Sequence, residues 1–246
     1  MPADTPPRFT EGGGVPRPEP LTLAIDASTY EGSVALAQGA TVLAELSVAM
    51  RGEREERLMP ATAAVMKEAG IATADLGRIV CGAGPGSFTS LRIAASIAKG
   101  LAQGGGVPLL AVSSLTLIVA ASRRPLAAGR YLAALDAMRG ERYVALVGVS
   151  GNGAIEEVTP VAIVPVAELE ALAARESATL VGPGWVLPGH ETALVPRAAG
   201  VARLALSPAL LREVPLSTWE PSYGRLAEAQ VKWEAAHGRS LTIERP

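Results

Sequence analysis

The beginning of the folded chain is predicted to be a three-stranded antiparallel meander. Apolar residues dominate segments 21–26, 33–37 and 41–47, and short polar or glycine-containing turns separate them. Short apolar segments bounded by turn residues are typical of strands joined in hairpins. The first strand ends on the carboxylate of Asp26, and a turn of small polar residues follows it. The chain is therefore expected to open with two consecutive hairpins.

Beyond the meander, helical periodicity alternates with short apolar strands. Apolar positions three or four residues apart predict a helix over 53–69 that ends at Gly70, a residue suited to the backbone conformation that follows a helix. Ser113 is predicted to cap the helix over 115–121. The further elements predicted here are strands at 78–83 and 107–112 and helices at 90–103 and 115–121. This order is typical of a mixed sheet flanked by helices.

The remaining chain is predicted to form a second lobe, which opens with a hairpin of strands 130–136 and 141–147. Its further predicted elements are a strand near 155–159, a helix over 166–175, a strand at 178–182, a helical segment over 201–211 and a charged helix over 225–239. Residues 1–20 are rich in proline, glycine and charge, so we expect a disordered extension there. The predicted organisation is this extension, lobes at 21–125 and 126–235, and a tail at 236–246.

Composition and charge narrow the classes of protein to consider. Hydrophobic residues make up 49% of the 246 residues but aromatic residues only 4%, which predicts an aliphatic core. A formal net charge of −2 argues against binding of tRNA by this chain alone. The single cysteine, Cys81, allows no disulfide within one chain and lies in an apolar strand, so it is interpreted as a buried core residue in a reducing cytoplasm. No apolar run is long enough to span a bilayer, and the N-terminus lacks the apolar region of a signal peptide.

The first candidate site is the turn after the first strand. Asp26 ends that strand, and Ser28 and Thr29 follow it before the chain returns. Such a turn can present a carboxylate to a metal and hydroxyl groups to a phosphate. An ordinary hairpin, in which Asp and Ser side chains accept bonds from turn amides, explains the same residues. The segment alone leaves both interpretations open.

The second candidate site is the strand-to-helix turn over 84–92. Gly84 and Gly86 permit a tight turn, and Ser87 and Thr89 are predicted to supply capping oxygens for the following helix. A helix N-terminus at such a turn can bind an anion. The lysine required for a Walker A loop is absent.

The helix after this turn has more apolar surface than one sheet face needs. Its apolar residues surround most of its circumference, which indicates a second packing partner. That partner is either another protein chain or the second lobe of the same chain. The residues predicted for an intermolecular contact are Ser90, Ile93, Ala94, Ile97, Ala98, Leu101 and Ala102.

Three motifs resemble the TsaB (YeaZ) family. They are the opening strand and turn over 23–36, the 84–92 segment with the helix residues 98–102 behind it, and a C-terminal Pro-x-Tyr-x-Arg formed by Pro221, Tyr223 and Arg225. The resemblance runs from about residue 21 to about residue 229. It implies an actin/Hsp70-like (RNase H-like) α/β fold of two lobes, with mixed β-sheets flanked by helices.

The resemblance also implies a function. The chain is expected to be a non-catalytic scaffold or activating subunit in the synthesis of N6-threonylcarbamoyladenosine at position 37 of tRNA. Its expected partners are a TsaD-type transferase, a TsaE-type ATPase and, when alone, a second copy, with tRNA reached only through the complex. The helix over 90–103 is expected to contact both TsaD and a second copy of this chain. No cofactor is expected to be required, although ATP or ADP is expected to bind weakly at a shared interface through Asp26, Ser28, Thr29, Gly84, Gly86 and Ser87.

No catalytic or metal-binding set is predicted. The related TsaD carries two histidines four positions apart on a helix, a spacing that can chelate one ion. Here the two histidines, His190 and His237, are far apart in the sequence, and no Ser-His-Asp or Cys-His set is recognisable. The alternative is an active actin-fold ATPase or phosphotransferase that uses Asp26 with Ser28 and Thr29. It would need a second carboxylate, for which Asp136 is the candidate.

Overall fold

The computed structural model describes residues 19–224, apart from 53, 54, 123, 125, 185 and 188–193, together with His237. The predicted N-terminal extension up to residue 18, the C-terminal helix over 225–239 apart from His237, Arg225 and His190 therefore lie outside the described residues. Among the described residues, no helix combines the length and the hydropathy needed to cross a membrane.

Six strands form the first sheet. They are β1 (Leu21–Asp26), β2 (Glu31–Gln38), β3 (Thr41–Ala49), β4 (Arg78–Gly82), β5 (Leu109–Val112) and β11 (Arg212–Glu213), in the order β11-β5-β4-β1-β2-β3. The first three strands make the predicted antiparallel meander, in which Asp26 lies opposite Ser33. Strand β4 runs parallel to β1, and β5 runs parallel to β4. The carboxyl ends of these parallel strands thus meet beside the turn that follows Asp26.

Three helices cover the first sheet. They are α1 (Leu58–Glu68), α2 (Phe88–Gly105) and α3 (Ser114–Ala120). Helix α1 begins five residues later than predicted, because the Glu56 carboxylate accepts hydrogen bonds from the amides of Leu58 and Met59 and so serves the first turn. The predicted end at Gly70 is confirmed, with φ at +68° after the helix.

The second sheet repeats the plan of the first. Its strands are β6 (Gly129–Asp136), β7 (Glu141–Val149), β8 (Ile155–Glu157), β9 (Ala162–Pro165) and β10 (Ala178–Val181), with α4 (Leu169–Arg175) before the last strand. An antiparallel hairpin of β6 and β7 is again followed by a helix and by a strand parallel to the first, β10. In this arrangement Asp136 occupies the place that Asp26 has in the first sheet. No internal repeat is recognisable in the amino-acid sequence itself.

The two sheets share one apolar core. Helix α3 and a 3-10 helix at Ala198–Leu206 lie between them, and their side chains pack with residues from both sheets. Helices α1 and α2 cover the outer face of the first sheet, and α4 covers the outer face of the second. The helix predicted over 201–211 is in fact two 3-10 helices, one at Ala198–Leu206 and one at Pro208–Leu210. The predicted lobe boundaries remain predictions, although β11 returns to the first sheet from the C-terminal part of the chain.

Candidate functional site

The Asp26 carboxylate is enclosed by its own chain. Its side chain has no exposed surface, and Oδ1 accepts hydrogen bonds from the Ser28 amide at 3.1 Å and the Ser28 hydroxyl at 2.8 Å. Oδ2 accepts a bond from the Ser114 hydroxyl at 2.6 Å. Burial raises the pKa of Asp26, and the bonds from Ser114 and Ser28 oppose that rise. Both carboxylate oxygens are therefore committed to intramolecular contacts.

The neighbouring strand β4 leaves space for this carboxylate only because it ends in glycine. A Cβ atom added at Gly82 would overlap Oδ2 of Asp26. Cys81, one residue earlier, is fully buried, which confirms its interpretation as a core residue. Burial raises the pKa of the Cys81 thiol, and the nearby Asp26 charge raises it further. The thiol accordingly remains protonated at neutral pH.

The turn after β4 closes over the turn after β1. The Ser87 amide donates to the Ser28 carbonyl at 2.8 Å, and the Gly84 amide donates to the Ser114 hydroxyl at 3.1 Å. A Cβ atom at Gly86 would overlap the Ser28 carbonyl oxygen. Five of the six residues predicted for a nucleotide-like site thus meet in one junction, in which Asp26, Ser28 and Gly84 are buried and Gly86 and Ser87 are half-buried. The sixth, Thr29, uses its hydroxyl within its own turn, donating to the Glu31 carbonyl at 3.0 Å and accepting from the Glu31 amide at 3.2 Å.

Ser114 belongs to this junction but was not predicted. It lies 88 residues from Asp26 in the sequence, and a serine in the first turn of a helix carries no signal of such a contact. The predicted capping roles of Ser87 and Ser113 are wrong, although both residues occupy N-cap positions. The Ser87 hydroxyl lies 3.0 Å from the Ser90 hydroxyl, and the buried Ser113 hydroxyl has no hydrogen-bond partner among the described residues.

The alanine stripe of α2 faces inward, so this part of the predicted interface is corrected. Ser90, Ala94, Ala98 and Ala102 are buried, and the three alanines pack with the aliphatic residues of the first sheet. The isoleucines Ile93 and Ile97 and Leu101 are half-buried at the edge of the same core. The exposed face of α2 consists of other residues, namely Phe88, Thr89, Arg92, Ser96, Gly100, Gln103 and Gly104.

An aromatic cluster of Phe88, Arg92 and Tyr223 joins the 84–92 segment to the C-terminal Pro-x-Tyr-x-Arg motif. The rings of Phe88 and Tyr223 lie 4.5 Å apart, and the Arg92 guanidinium lies 4.0 Å from the Phe88 ring centre. The Ser222 amide donates to the Ala83 carbonyl at 2.7 Å, and the Tyr143 hydroxyl of the second sheet donates to the Tyr223 carbonyl at 3.1 Å. Burial raises the pKa of Tyr143, with a smaller contribution from the charge of Asp136, so this hydroxyl remains a donor. The segment that carries Tyr223 therefore contacts both sheets.

Tyr223→Ala is expected to lower the free energy of unfolding by about 2 kcal/mol, because it removes an aromatic pair and a cation–π contact. Urea denaturation would measure the change. Tyr223→Phe is the matched control, since it keeps the ring and removes only the hydroxyl that receives a 3.3 Å bond from Arg92. Equal losses for the two variants would contradict the role assigned to the ring.

The second carboxylate of the phosphotransferase hypothesis is also engaged. Asp136 Oδ1 accepts from Arg142 at 3.0 Å and from the Met138 amide at 3.1 Å. Within the described part of the chain, no three His, Cys, Asp or Glu side chains are grouped so that they could hold a metal ion.

Comparisons with known proteins indicate the same family as the three sequence motifs. A family model described as TsaD, tRNA N6-adenosine threonylcarbamoyltransferase, matches residues 49–191, more than half of the chain. The tRNA threonylcarbamoyladenosine biosynthesis protein TsaB of Bacillus subtilis is 32% identical over 233 residues, which cover 86% of this chain and 96% of that protein. TsaB of Escherichia coli is 39% identical over 131 residues, 53% of this chain and 56% of that protein.

A solved structure supports the same assignment. YeaZ from Pseudomonas aeruginosa superposes with a TM-score of 0.66 and 28% identity, covering 83% of this chain and 99% of that one. The predicted actin-like, RNase H-like α/β fold with mixed sheets flanked by helices is thereby confirmed. The match to a TsaB protein over 86% of this chain and the shared fold show that the chain belongs to the TsaB (YeaZ) family of tRNA threonylcarbamoyladenosine biosynthesis proteins.

Proposed function

We propose that this chain is a non-catalytic scaffold or activating subunit that binds a TsaD-type transferase during the synthesis of threonylcarbamoyladenosine on tRNA. The observation that carries this proposal is the enclosed Asp26 carboxylate. A carboxylate that assists phosphate or group transfer needs oxygens open to a metal ion or a substrate. Here both oxygens accept bonds from serines of the same chain, and the side chain is fully buried. The junction holds two turns together, which is a structural role.

The alternative, an actin-fold ATPase or phosphotransferase, would use Asp26, Ser28 and Thr29 with Asp136. Each of these side chains is already engaged in the chain's own turns or ion pairs. To bind Mg-ATP, the 84–87 turn would have to separate from the 26–29 turn and break the 2.8 Å bond between the Ser87 amide and the Ser28 carbonyl. Calorimetric titration with Mg-ATP separates the two functions, because turnover and tight binding by the isolated chain would favour the phosphotransferase.

The proposed contact with TsaD, and with a second copy when the chain is alone, uses the outer surface of α2. The half-buried Ile93, Ile97 and Leu101 contribute its apolar edge. Beside them, Ser96, Gly100 and Gly104 lie four residues apart on the exposed face. A Cβ atom added at Gly100 would meet no other atom within 4 Å. Small side chains on an exposed helix face allow the backbone of a partner helix to approach closely.

Gly100→Arg is expected to weaken TsaD binding by roughly a hundredfold, because a long charged side chain would be buried without a partner at a close helix contact. The monomer should remain folded, since the position is open to solvent. Affinity would be measured by calorimetry with a purified TsaD, and self-association by sedimentation velocity.

Gly100→Ala is the matched control for this substitution. One added methyl group should preserve most of the affinity while stabilising the helix by about 1 kcal/mol. Unchanged binding of Gly100→Arg would show that TsaD docks elsewhere. Transferase activity of the chain without TsaD would contradict the non-catalytic role itself.

The remaining parts of the proposal follow from membership of the family. The TsaE-type ATPase would join the assembly formed with TsaD, and tRNA would be bound through the complex in the cytoplasm. The scaffold itself would require no cofactor, and ATP or ADP would bind weakly at an interface shared with a partner. The net charge of −2 supports a route to tRNA through partners.

A further inference from the structure

A groove lies on the opposite face of the first sheet from α1 and α2. It has a volume of about 560 Å³ and is bounded by β3, the end of α3 and the 3-10 helix at Ala198–Leu206. A volume of this size falls within the range of about 300–1,000 Å³ that is common for small-molecule sites. The groove shares no residue with the Asp26 junction or with α2. A separate function for it would therefore not depend on the contact proposed for α2.

The charged side chains of the groove have an excess of positive charge. Its lining contains two arginines, Arg197 and Arg203, and one acid, Glu45. Arg197 donates to Glu45 across 3.2 Å, but its buried Nε has no hydrogen-bond partner among the described residues. Arg203 donates through one terminal nitrogen to the Ser122 carbonyl at 2.8 Å. The single acid can neutralise only one of the two guanidinium groups, so an anionic ligand would balance the charge of the other.

The rest of the lining is aliphatic, apart from Ser122. Large apolar side chains stand at the rim, where Leu206 is 59% exposed, Leu43 is 43% exposed and Val42 is 38% exposed. Among the described residues that line the groove none is aromatic, so they offer no planar surface on which a nucleotide base could stack. Aliphatic walls beside one more guanidinium group than the single acid neutralises match a molecule with an aliphatic body and one anionic end.

We propose that this groove binds a small aliphatic carboxylate, whose anionic end pairs with Arg197 and Arg203 and whose chain packs between β3 and Leu206. Octanoate is a suitable probe, and 1-octanol is its neutral counterpart of the same chain length. Calorimetric titration of the full-length chain should show one octanoate bound per chain. It should bind at least about tenfold more tightly than 1-octanol, because a charge-assisted hydrogen bond is lost in the alcohol.

Substitutions at the groove test the assignment. Arg203→Gln should weaken octanoate binding about tenfold or more, since it removes the charge but keeps a polar side chain. Arg175→Gln on α4 is the matched control, because this arginine is largely exposed outside the groove, and it should leave binding unchanged. Circular dichroism would confirm that each variant is folded.

A second pair of variants keeps the test decisive if Arg203→Gln does not fold. Leu206→Asp should weaken octanoate binding and Leu206→Lys should preserve it, because the exposed rim position tolerates either side chain and only the charge differs. Equal affinities for octanoate and 1-octanol, absence of octanoate binding, or equal effects of the two Leu206 variants would each overturn the proposal.

Discussion

Ala98→Arg is expected to prevent stable folding. Ala98 has no exposed surface and packs in α2 against the aliphatic core of the first sheet. An arginine there would overpack the core and bury an unpaired charge, which together should cost about 5 kcal/mol or more. Domains of this kind are stable by only about 5–15 kcal/mol, so most of the folded population should be lost. Thermal and urea denaturation followed by circular dichroism would measure this loss.

Gly100→Arg provides the control for this prediction on the same helix. It introduces the same side chain two residues away, at a position open to solvent, and should not lower the unfolding midpoint; it should raise it slightly, because arginine favours a helix more than glycine does. The pair separates an inward face from an outward face of α2. A stable, cooperatively folded Ala98→Arg protein would show that Ala94, Ala98 and Ala102 face outward and not towards the first sheet.

Asp26→Ala is expected to destabilise the chain by about 3 kcal/mol, because three buried donors on Ser28 and Ser114 lose their acceptor together. Asp136→Ala is the matched control at the equivalent position of the second sheet. It removes a half-exposed carboxylate with its ion pair to Arg142 and its bond from the Met138 amide, and it should cost only about 1 kcal/mol because Arg142 still donates to the Val186 and Glu141 carbonyls. Urea denaturation of both variants tests the contrast, and similar losses would contradict the structural role of the enclosed junction.

The same carboxylate should make stability depend on pH in a defined direction. Because burial raises the pKa of Asp26 above its ordinary value of 3.8, the folded state retains a proton that the unfolded state releases. Its contribution to stability is complete below pH 3.8 and is lost as the pH rises towards the pKa of the folded state. Asp26→Asn, which cannot titrate, should reduce this decline. A wild-type chain that gains more stability than Asp26→Asn over that interval would contradict the assignment.

Local pattern predicted most of the regular elements. The apolar segment that ends at Asp26 was predicted with the bounds that the structure shows, since a short apolar run between polar turns has few alternatives. Strands β9 and β11 were not predicted. β9 is a short edge strand with little burial, and β11 is a two-residue pairing created by the return of the chain to β5.

The sequence of α2 does not determine which face of the helix packs against the sheet. Apolar residues surround this helix, so the periodicity leaves open whether Ala98 or Ile97 points to the sheet. The deciding factor is the close approach of α2 to β4, which small alanine side chains permit. The candidate site, likewise, could be predicted only in part from the sequence. The motif residues of the two turns do meet, but the bond from Ser114 that closes the junction depends on tertiary packing between distant segments.

The core between the two sheets determines how the molecule should lose its structure. Helix α3 and the 3-10 helix at Ala198–Leu206 have apolar neighbours in both sheets, so neither sheet can melt without exposing these helices to water. A protein whose two sheets had separate cores could unfold in two steps, whereas the shared core should make the two sheets unfold as one cooperative unit. Heating should therefore give a single transition whose calorimetric and van't Hoff enthalpies agree.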